Sequence, residues 1–342
     1  MIRSNRVTGT AGLIAAFALV LAGCGSADKQ PDSGVGDSEV ATGGRLFATA
    51  DQETAKLGST AEAGVFPRTV KHALGEAQLP KKPERVVVLD SGELDAVLSL
   101  GITPVGMGVN TGQNGVPGYL AGKASGITSV GTVSDLNLEA IAKLQPDLIL
   151  GSKLRANDLY DELSAIAPTV FSIRPGFPWK EDFLLAAEAL GEETKAVQVL
   201  NDYQKRANEV KAKVTGSPEI SLVRFRPGGT IRLYGNKSFI GVILKDIGLP
   251  RPKVQNVEDL AVEISEENIT QADADYLFWS TQSGAKDSAE QKVVNGKLWS
   301  ALGAVKAGKA IHVDDEVWFL GLGPLGAQAT LTDLEKHLTA TP

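Results

Sequence analysis

The sequence predicts an α/β protein: two Rossmann-like lobes with mostly parallel sheets, joined by one long rigid helix. Three observations predict it. A β-branched run, Arg85-Val86-Val87-Val88-Leu89, is followed by a capping turn, a helical stripe and a second apolar run, the order of a βαβ unit. Between Glu192 and Val214, Ala196, Leu200, Tyr203, Ala207, Val210 and Val214 recur at steps of three and four, the stripe of an amphipathic helix. At about 1.5 Å per residue that helix spans roughly 33 Å, the width of a small domain. On either side of it stands a similar element: Glu139 and Glu267 each precede an isoleucine by two positions and an aspartate, Asp147 or Asp275, by eight, with an apolar run following.

The chain of 342 residues is long enough for two domains, and 43% hydrophobic with 22% charged residues is a globular composition. Its net charge of −7 and pI of about 5.2, without a basic block, argue against nucleic-acid binding. A local cationic pocket is invisible to net charge.

Taken in order, Arg3 and Arg6 form a basic start, and the apolar run Ala11 to Leu21 is too short to span a membrane comfortably. Residues 1–23 therefore read as a signal peptide. Leu21-Ala22-Gly23-Cys24 resembles the bacterial lipobox, which implies that Cys24 is lipidated and becomes the mature first residue. Cys24 is the sole cysteine, so no internal disulfide forms. An anchor of more than one acyl chain would hold the protein to the outer face of the cytoplasmic membrane. Residues 24–66, rich in Gly, Ser, Ala, Asp and Thr, are expected to form a flexible tether.

Residues 67–190 are the expected first lobe. Thr69 to His72 reads as a short edge strand and Arg85 to Leu89 as a buried parallel strand. Asp90-Ser91-Gly92 supplies helix-capping chemistry for the stripe Leu94, Val97, Leu98 and Leu100, and Gly101 closes that helix. Thr103 to Val109 returns as a strand. The glycine-rich loop from 110 to 129, carrying Tyr119, suits a binding loop or plain surface equally. A helix over Leu138–Leu144, strands at Asp147–Gly151 and Thr169–Ile173 and a helix over Tyr160–Ile166 complete the lobe. Arg174-Pro175-Gly176-Phe177-Pro178-Trp179 then leads to the linking helix, residues 191–215.

Residues 216–342 are the expected second lobe. Ser221 to Arg226 is a strand, Pro227-Gly228-Gly229 a hairpin turn, and Ile231 to Tyr234 the returning strand. Arg224 and Arg226, two positions apart, share one face of their strand. Phe239 to Ile247 is helical, Tyr276 to Trp279 and Ala310 to Val313 are strands, and Leu325 to Leu338 is the closing helix. Val317 to Pro324, apolar and rich in glycine, is a packed loop or a ligand wall.

No catalytic constellation stands out. Gly303 to Ala310 approaches a phosphate-binding loop, but Ala310 occupies the place of the magnesium-binding Ser or Thr. His72, His312 and His337 lie far apart and outside any metal-ligand spacing.

The motifs Pro83-Glu84-Arg85-Val86-Val87-Val88-Leu89, Leu100-Gly101-Ile102-Thr103-Pro104-Val105-Gly106, Asn137-Leu138-Glu139-Ala140-Ile141, Pro146-Asp147-Leu148-Ile149, Ile264-Ser265-Glu266-Glu267-Asn268-Ile269 and Ala304-Val305-Lys306-Ala307-Gly308-Lys309 occur in that order. With the lipobox, this order resembles the substrate-binding lipoproteins of bacterial ABC importers, in the class that takes up ferric siderophores, haem and cobalamin. The resemblance implies a monomeric, extracytoplasmic carrier without catalytic residues, protein metal ligands or a resident cofactor. Its partners would be an ABC permease, a small-molecule iron chelate and, through its lipid, the membrane. It also implies that Glu139 and Glu267, one per lobe, meet arginines of the permease, and that the ligand lies between the lobes. Candidate ligand contacts are Arg224, Arg226, Tyr234, Trp279 and Trp318, with Arg174, Trp179 and Tyr119 from the first lobe. For each aromatic, core packing is an equal alternative. A ferric siderophore is the expected ligand, haem or cobalamin the alternative on the same fold, and a tethered two-lobe enzyme the alternative of a different class.

Overall fold

The computed structural model describes residues 49–109 and 115–339. The signal peptide, Cys24 and the tether up to residue 48 lie outside the described residues, as do residues 110–114 of the glycine-rich loop. β1 (Arg68–His72) and β2 (Gly75–Leu79) form an antiparallel hairpin of their own. β3 (Val86–Val88) lies inside a six-stranded sheet ordered β6-β5-β4-β3-β7-β8. Its neighbours are β4 (Gly106–Val109), β5 (Thr128–Thr132), β6 (Asp135–Leu136), β7 (Leu148–Ser152) and β8 (Thr169–Ser172). Only the β5–β6 pairing is antiparallel. β4 and β5 lie on one side of β3, β7 and β8 on the other. The ends of β3 and β7 therefore flank the switch point where α/β sheets present ligands. Both faces are covered, which is why Val86, Val87 and Val88 are all fully buried.

The second sheet has five strands in the order β11-β10-β9-β12-β13. These are β9 (Ile220–Phe225), β10 (Ile231–Tyr234), β11 (Ala261–Ile264), β12 (Tyr276–Thr281) and β13 (Ala310–His312). β12 pairs in parallel with β9 and β13, while β9–β10 and β10–β11 are antiparallel. The Pro227–Gly229 turn folds β10 straight back on β9, so this sheet is mixed where the first is almost wholly parallel.

The linking helix runs Glu193–Lys213. Its Ala196 belongs to the core of the first lobe, and Tyr203, Ala207 and Val210 belong to the core of the second, with Leu200 packed against both. One helix thus contributes to two cores, a stiff connection compared with several flexible strands. Gly191 ends the preceding helix (Trp179–Leu190) in the left-handed conformation, φ 66°, and a Cβ there would sit 2.6 Å from the Phe66 ring.

The repeated Glu-to-Asp element has a physical basis. Asp147, at the entry to β7, accepts from the backbone of Arg85 (2.7 Å) and Glu84 (3.0 Å) at the start of β3. Asp275, at the entry to β12, accepts from Glu219 N (2.8 Å) at the start of β9. In each lobe one aspartate satisfies the open amides of a neighbouring parallel strand.

Two boundaries differ from expectation. Composition extends the tether to residue 66, whereas Ala50–Thr54 is helical, with Ala50 and Thr54 buried. Asp51 Oδ2 accepts from Lys237 Nζ of the second lobe (3.1 Å), and Gly58 pairs with Lys71 of the first. A short polar segment has no core of its own, but it becomes ordered by docking on one. The closing helix (Pro324–Leu338), expected within the second lobe, also engages the first: Leu325 N and Gly326 N each donate to Asp95, at 2.8 Å. A carboxylate at a helix N-terminus satisfies amides that no intrahelical carbonyl reaches.

Candidate ligand-binding cleft

A cavity of about 310 Å³ opens between the two sheets. Its second-lobe wall is built by β9 and β10. In β9, Ile220 and Leu222 face the same core as the linking helix, while Val223 and Phe225 face the other side. Strand alternation places Arg224 and Arg226 with the first set, and both line the cleft. The hairpin register sets Arg232 directly opposite Arg224. Tyr234 follows on the same face, its hydroxyl 3.2 Å from Arg224 Nη1. Burial would raise the Tyr234 phenol, but Arg224 and Arg232 beside it outweigh burial and lower it.

The first-lobe wall comes from the loops after β7 and β8. Arg155 lies just past β7 and donates to Asp90 Oδ2 (3.1 Å). Arg174 lies just past β8, only 2% exposed, with Nε donating to Pro175 O (3.1 Å) and the guanidinium 5.2 Å from the Phe177 ring centre. Its Nη1 finds no hydrogen-bond partner among the described residues. Burial first, and then the charge of Arg155, lower Arg174 to about 10, so it keeps its proton at neutral pH.

The cleft is cationic. Five arginines line it. Asp315 pairs with Arg224, Asp90 with Arg155, and Glu263 with both Arg232 (2.8 Å) and Arg226 (3.8 Å). Among the described residues, three carboxylates therefore form ion pairs with four of the five guanidinium groups, and Arg174 has none. Phe239, Leu260, Phe319, Leu320 and Leu322 supply apolar wall between them. Such a surface suits a compact, polyanionic ligand with apolar parts.

The aromatic expectations divide. Trp318 forms part of the cleft floor but is fully buried, stacked on Phe278 (4.6 Å between centroids) and donating Nε1–H to Asp333 (3.0 Å). Trp279 faces the opposite side of its sheet, against Phe225, Trp299 and His312, and does not line the cleft. Trp179 is 1% exposed, edge-on to Tyr203, and lies behind the wall. Tyr119 also lies off the wall, its hydroxyl 2.7 Å from Gly321 O and 3.1 Å from Asp95 Oδ2. In these three the ring buries its apolar area in packing. Arg155, Arg232 and Phe319 also line the cleft, beyond the residues that the sequence singles out. The hairpin register could have found Arg232, and Arg155 follows a strand at the switch point.

Glu139 and Glu267 occupy equivalent places. Each is exposed and second in a short helix, Leu138–Lys143 after the Asn137 cap and the 3₁₀ helix Glu266–Ala272 after Ser265. Its own backbone amide, then the Ser265 hydroxyl, hold the Glu267 carboxyl below its usual range. Among the described residues no group of three or more His, Cys, Asp or Glu is placed to hold a metal ion, and no helix is long and apolar enough to cross a membrane.

Residues 86–317 match the family described as periplasmic binding protein. The chain is 38% identical over 288 residues to the probable siderophore-binding lipoprotein YfiY of Bacillus subtilis, covering 80% of this chain and 88% of that one. It is 30% identical over 291 residues to the petrobactin-binding protein YclQ of the same organism, covering 82% and 90%. The crystal structure of Staphylococcus aureus SirA complexed with staphyloferrin B superposes with a TM-score of 0.72 at 32% identity, over 79% of this chain and 98% of that one.

Proposed function

This chain belongs to the periplasmic binding protein family, and we propose that it captures a ferric siderophore in the interlobe cleft and delivers it to the permease of an ABC importer. The observation that carries this reading is the excess of guanidinium over paired carboxylate in the cleft wall, five against three among the described residues. A cleft with surplus buried positive charge favours an anionic chelate, one whose iron is wrapped in carboxylates, over a neutral one. The relatives named for siderophores support the same class.

Delivery rests on Glu139 and Glu267. Two matched, exposed carboxylates, one per lobe, suit a permease of two-fold symmetry with paired basic pockets. Attachment rests on Cys24, lipidated at the outer face of the cytoplasmic membrane. The protein binds and releases without turnover, and the iron arrives as cargo inside its chelate.

The test is a tryptophan-quenching titration against ferric citrate, ferric staphyloferrin B, a ferric hydroxamate, a ferric catecholate, haem and cobalamin. Saturable one-to-one quenching by an anionic ferric carboxylate is expected. Quenching confined to haem or cobalamin would replace the siderophore reading. Turnover of a substrate in place of stoichiometric binding would replace the carrier by an enzyme.

A further inference from the structure

Behind the first-lobe wall of the cleft lies a smaller cavity, about 20 Å³, lined from the helices Ser91–Ser99 and Trp179–Leu190, from β7 and β8, and from the Leu322–Pro324 turn. Pro175 and Leu322 line both spaces, so one layer of side chains separates them. Four polar atoms of its lining residues, Glu93 Oε2, Asp182 Oδ1, Ser172 Oγ and Trp179 Nε1, are buried and find no hydrogen-bond partner among the described residues. Trp179 is 1% and Ser172 5% exposed. Ser172 stands beside Asp182 without a well-formed bond to it. Groups of this kind, left unpaired, keep the full cost of their lost hydration. A space of this size has room for one water molecule.

We infer that this cavity is a site for one water molecule between two protonated carboxyl groups, Glu93 and Asp182, and that the protons held there keep the charge of Arg174 directed into the cleft. The water accepts from Trp179 Nε1–H and donates to the carboxyl groups of Glu93 and Asp182. Each carboxyl keeps its proton, because burial disfavours the charged form and two carboxyl groups in one enclosed cavity oppose each other's ionisation.

The surrounding charges agree. Asp90, which caps the helix carrying Glu93, and Glu181, next to Asp182, both disfavour ionisation; Arg155 facing Glu93 and Arg174 facing Asp182 favour it. The Leu322–Pro324 turn brings no titratable group. Burial is the largest influence, and it raises Glu93 to about 8 and Asp182 well above its usual range. While both carboxyls keep their protons, Arg174 has no full anion behind it. Once the pair ionises, a buried negative charge faces Arg174 from the side away from the cleft. A raised carboxyl holds its proton below the shifted value and loses it above, so capture of an anion is strongest below about pH 8 and weakens beyond it.

The coupling rests on the cleft being the site of an anionic chelate; the proton site does not. Infrared difference spectra of the protein between about pH 7 and about pH 9, below the range in which Arg174 itself loses its proton, are expected to show the carbonyl stretch of a buried protonated carboxyl, lost at the higher pH. Glu93→Gln and Asp182→Asn should each remove or shift it. Ferric citrate affinity is expected to fall several-fold over the same range in the native protein and to stay level in Asp182→Asn. Absence of the protonated band at about pH 7, or a band that both variants keep unchanged, overturns the proton site. An equal fall in affinity in Asp182→Asn overturns the coupling. If ferric citrate fails to bind at any pH, the cleft reading fails for that chelate, and the infrared band still decides the proton site.

Discussion

Arg224 holds Asp315 with two prongs: Nε to Oδ1 and Nη2 to Oδ2 are both 2.6 Å, and the two side chains are only 7% and 11% exposed. Ser280 Oγ adds a donor to Oδ1 at 2.7 Å. Arg224 is therefore a fixed cation in the cleft wall, with Nη1 turned towards Tyr234. A charge committed in this way orients a ligand without paying again for side-chain freedom.

Breaking this pair from one side should be costly. Asp315→Ala leaves a guanidinium buried beside Phe319 with its main partner gone, and removing one member of a buried pair costs about 3–5 kcal/mol. A matching loss in denaturant unfolding free energy is expected. A change under about 1 kcal/mol would mean that the pair is solvated and not structural.

Arg226 is the more open cation, donating from Nε to Gln282 Oε1 at 2.9 Å and sharing Glu263 with Arg232. Arg226→Ala should weaken anionic chelate binding by about 10- to 100-fold, the worth of a charge-assisted hydrogen bond. The thermal midpoint should hardly move. Undiminished affinity would place the chelate away from β9.

Glu139→Ala combined with Glu267→Ala should abolish uptake by cells while leaving chelate affinity unchanged. Both carboxylates are exposed and stand apart from the cleft lining. Loss of chelate binding in the double variant would assign them a structural role instead.

Asp95 joins the first lobe to the closing helix, and burial raises it to about 7 in spite of the Leu325 and Gly326 amides and the Tyr119 hydroxyl. In the unfolded chain it would titrate near its ordinary value of 3.8. Between those two values the folded protein binds the extra proton, so this group's contribution to stability falls as pH rises from about 4 to about 7. Denaturation midpoints across that range should decline, and Asp95→Asn should flatten part of the decline. An unchanged slope in the variant would mean that Asp95 titrates as an ordinary carboxylate.

Much of this architecture can be read from local pattern. The stripe from Ala196 to Val214 expresses a helical period, and the run at Val86–Val88 is marked as a buried strand by its β-branched composition. The offset from Glu139 to Asp147 and from Glu267 to Asp275 repeats because each aspartate caps a neighbouring strand. Alternation along β9 puts Arg224 and Arg226 on one face together, and only the fold shows that this face lines the cleft. What escapes the sequence is long-range docking. Nothing local marks Ala50–Thr54 as ordered, or Asp95 as the cap of a helix far along the chain. Trp179, Trp279 and Tyr119 pack away from the cleft lining, which the sequence does not foretell, because an aromatic ring buries equally well in a core or against a ligand and composition does not separate the two.

The most direct measurement is a crystal structure with the ferric carboxylate that quenches most strongly. The expected result is one chelate between the lobes, its carboxylates within hydrogen-bond reach of Arg174 and Arg226 and its iron enclosed by the chelate. A chelate seated elsewhere, or one in the cleft that touches none of the five arginines, would contradict the assignment of this cleft as an anionic siderophore site.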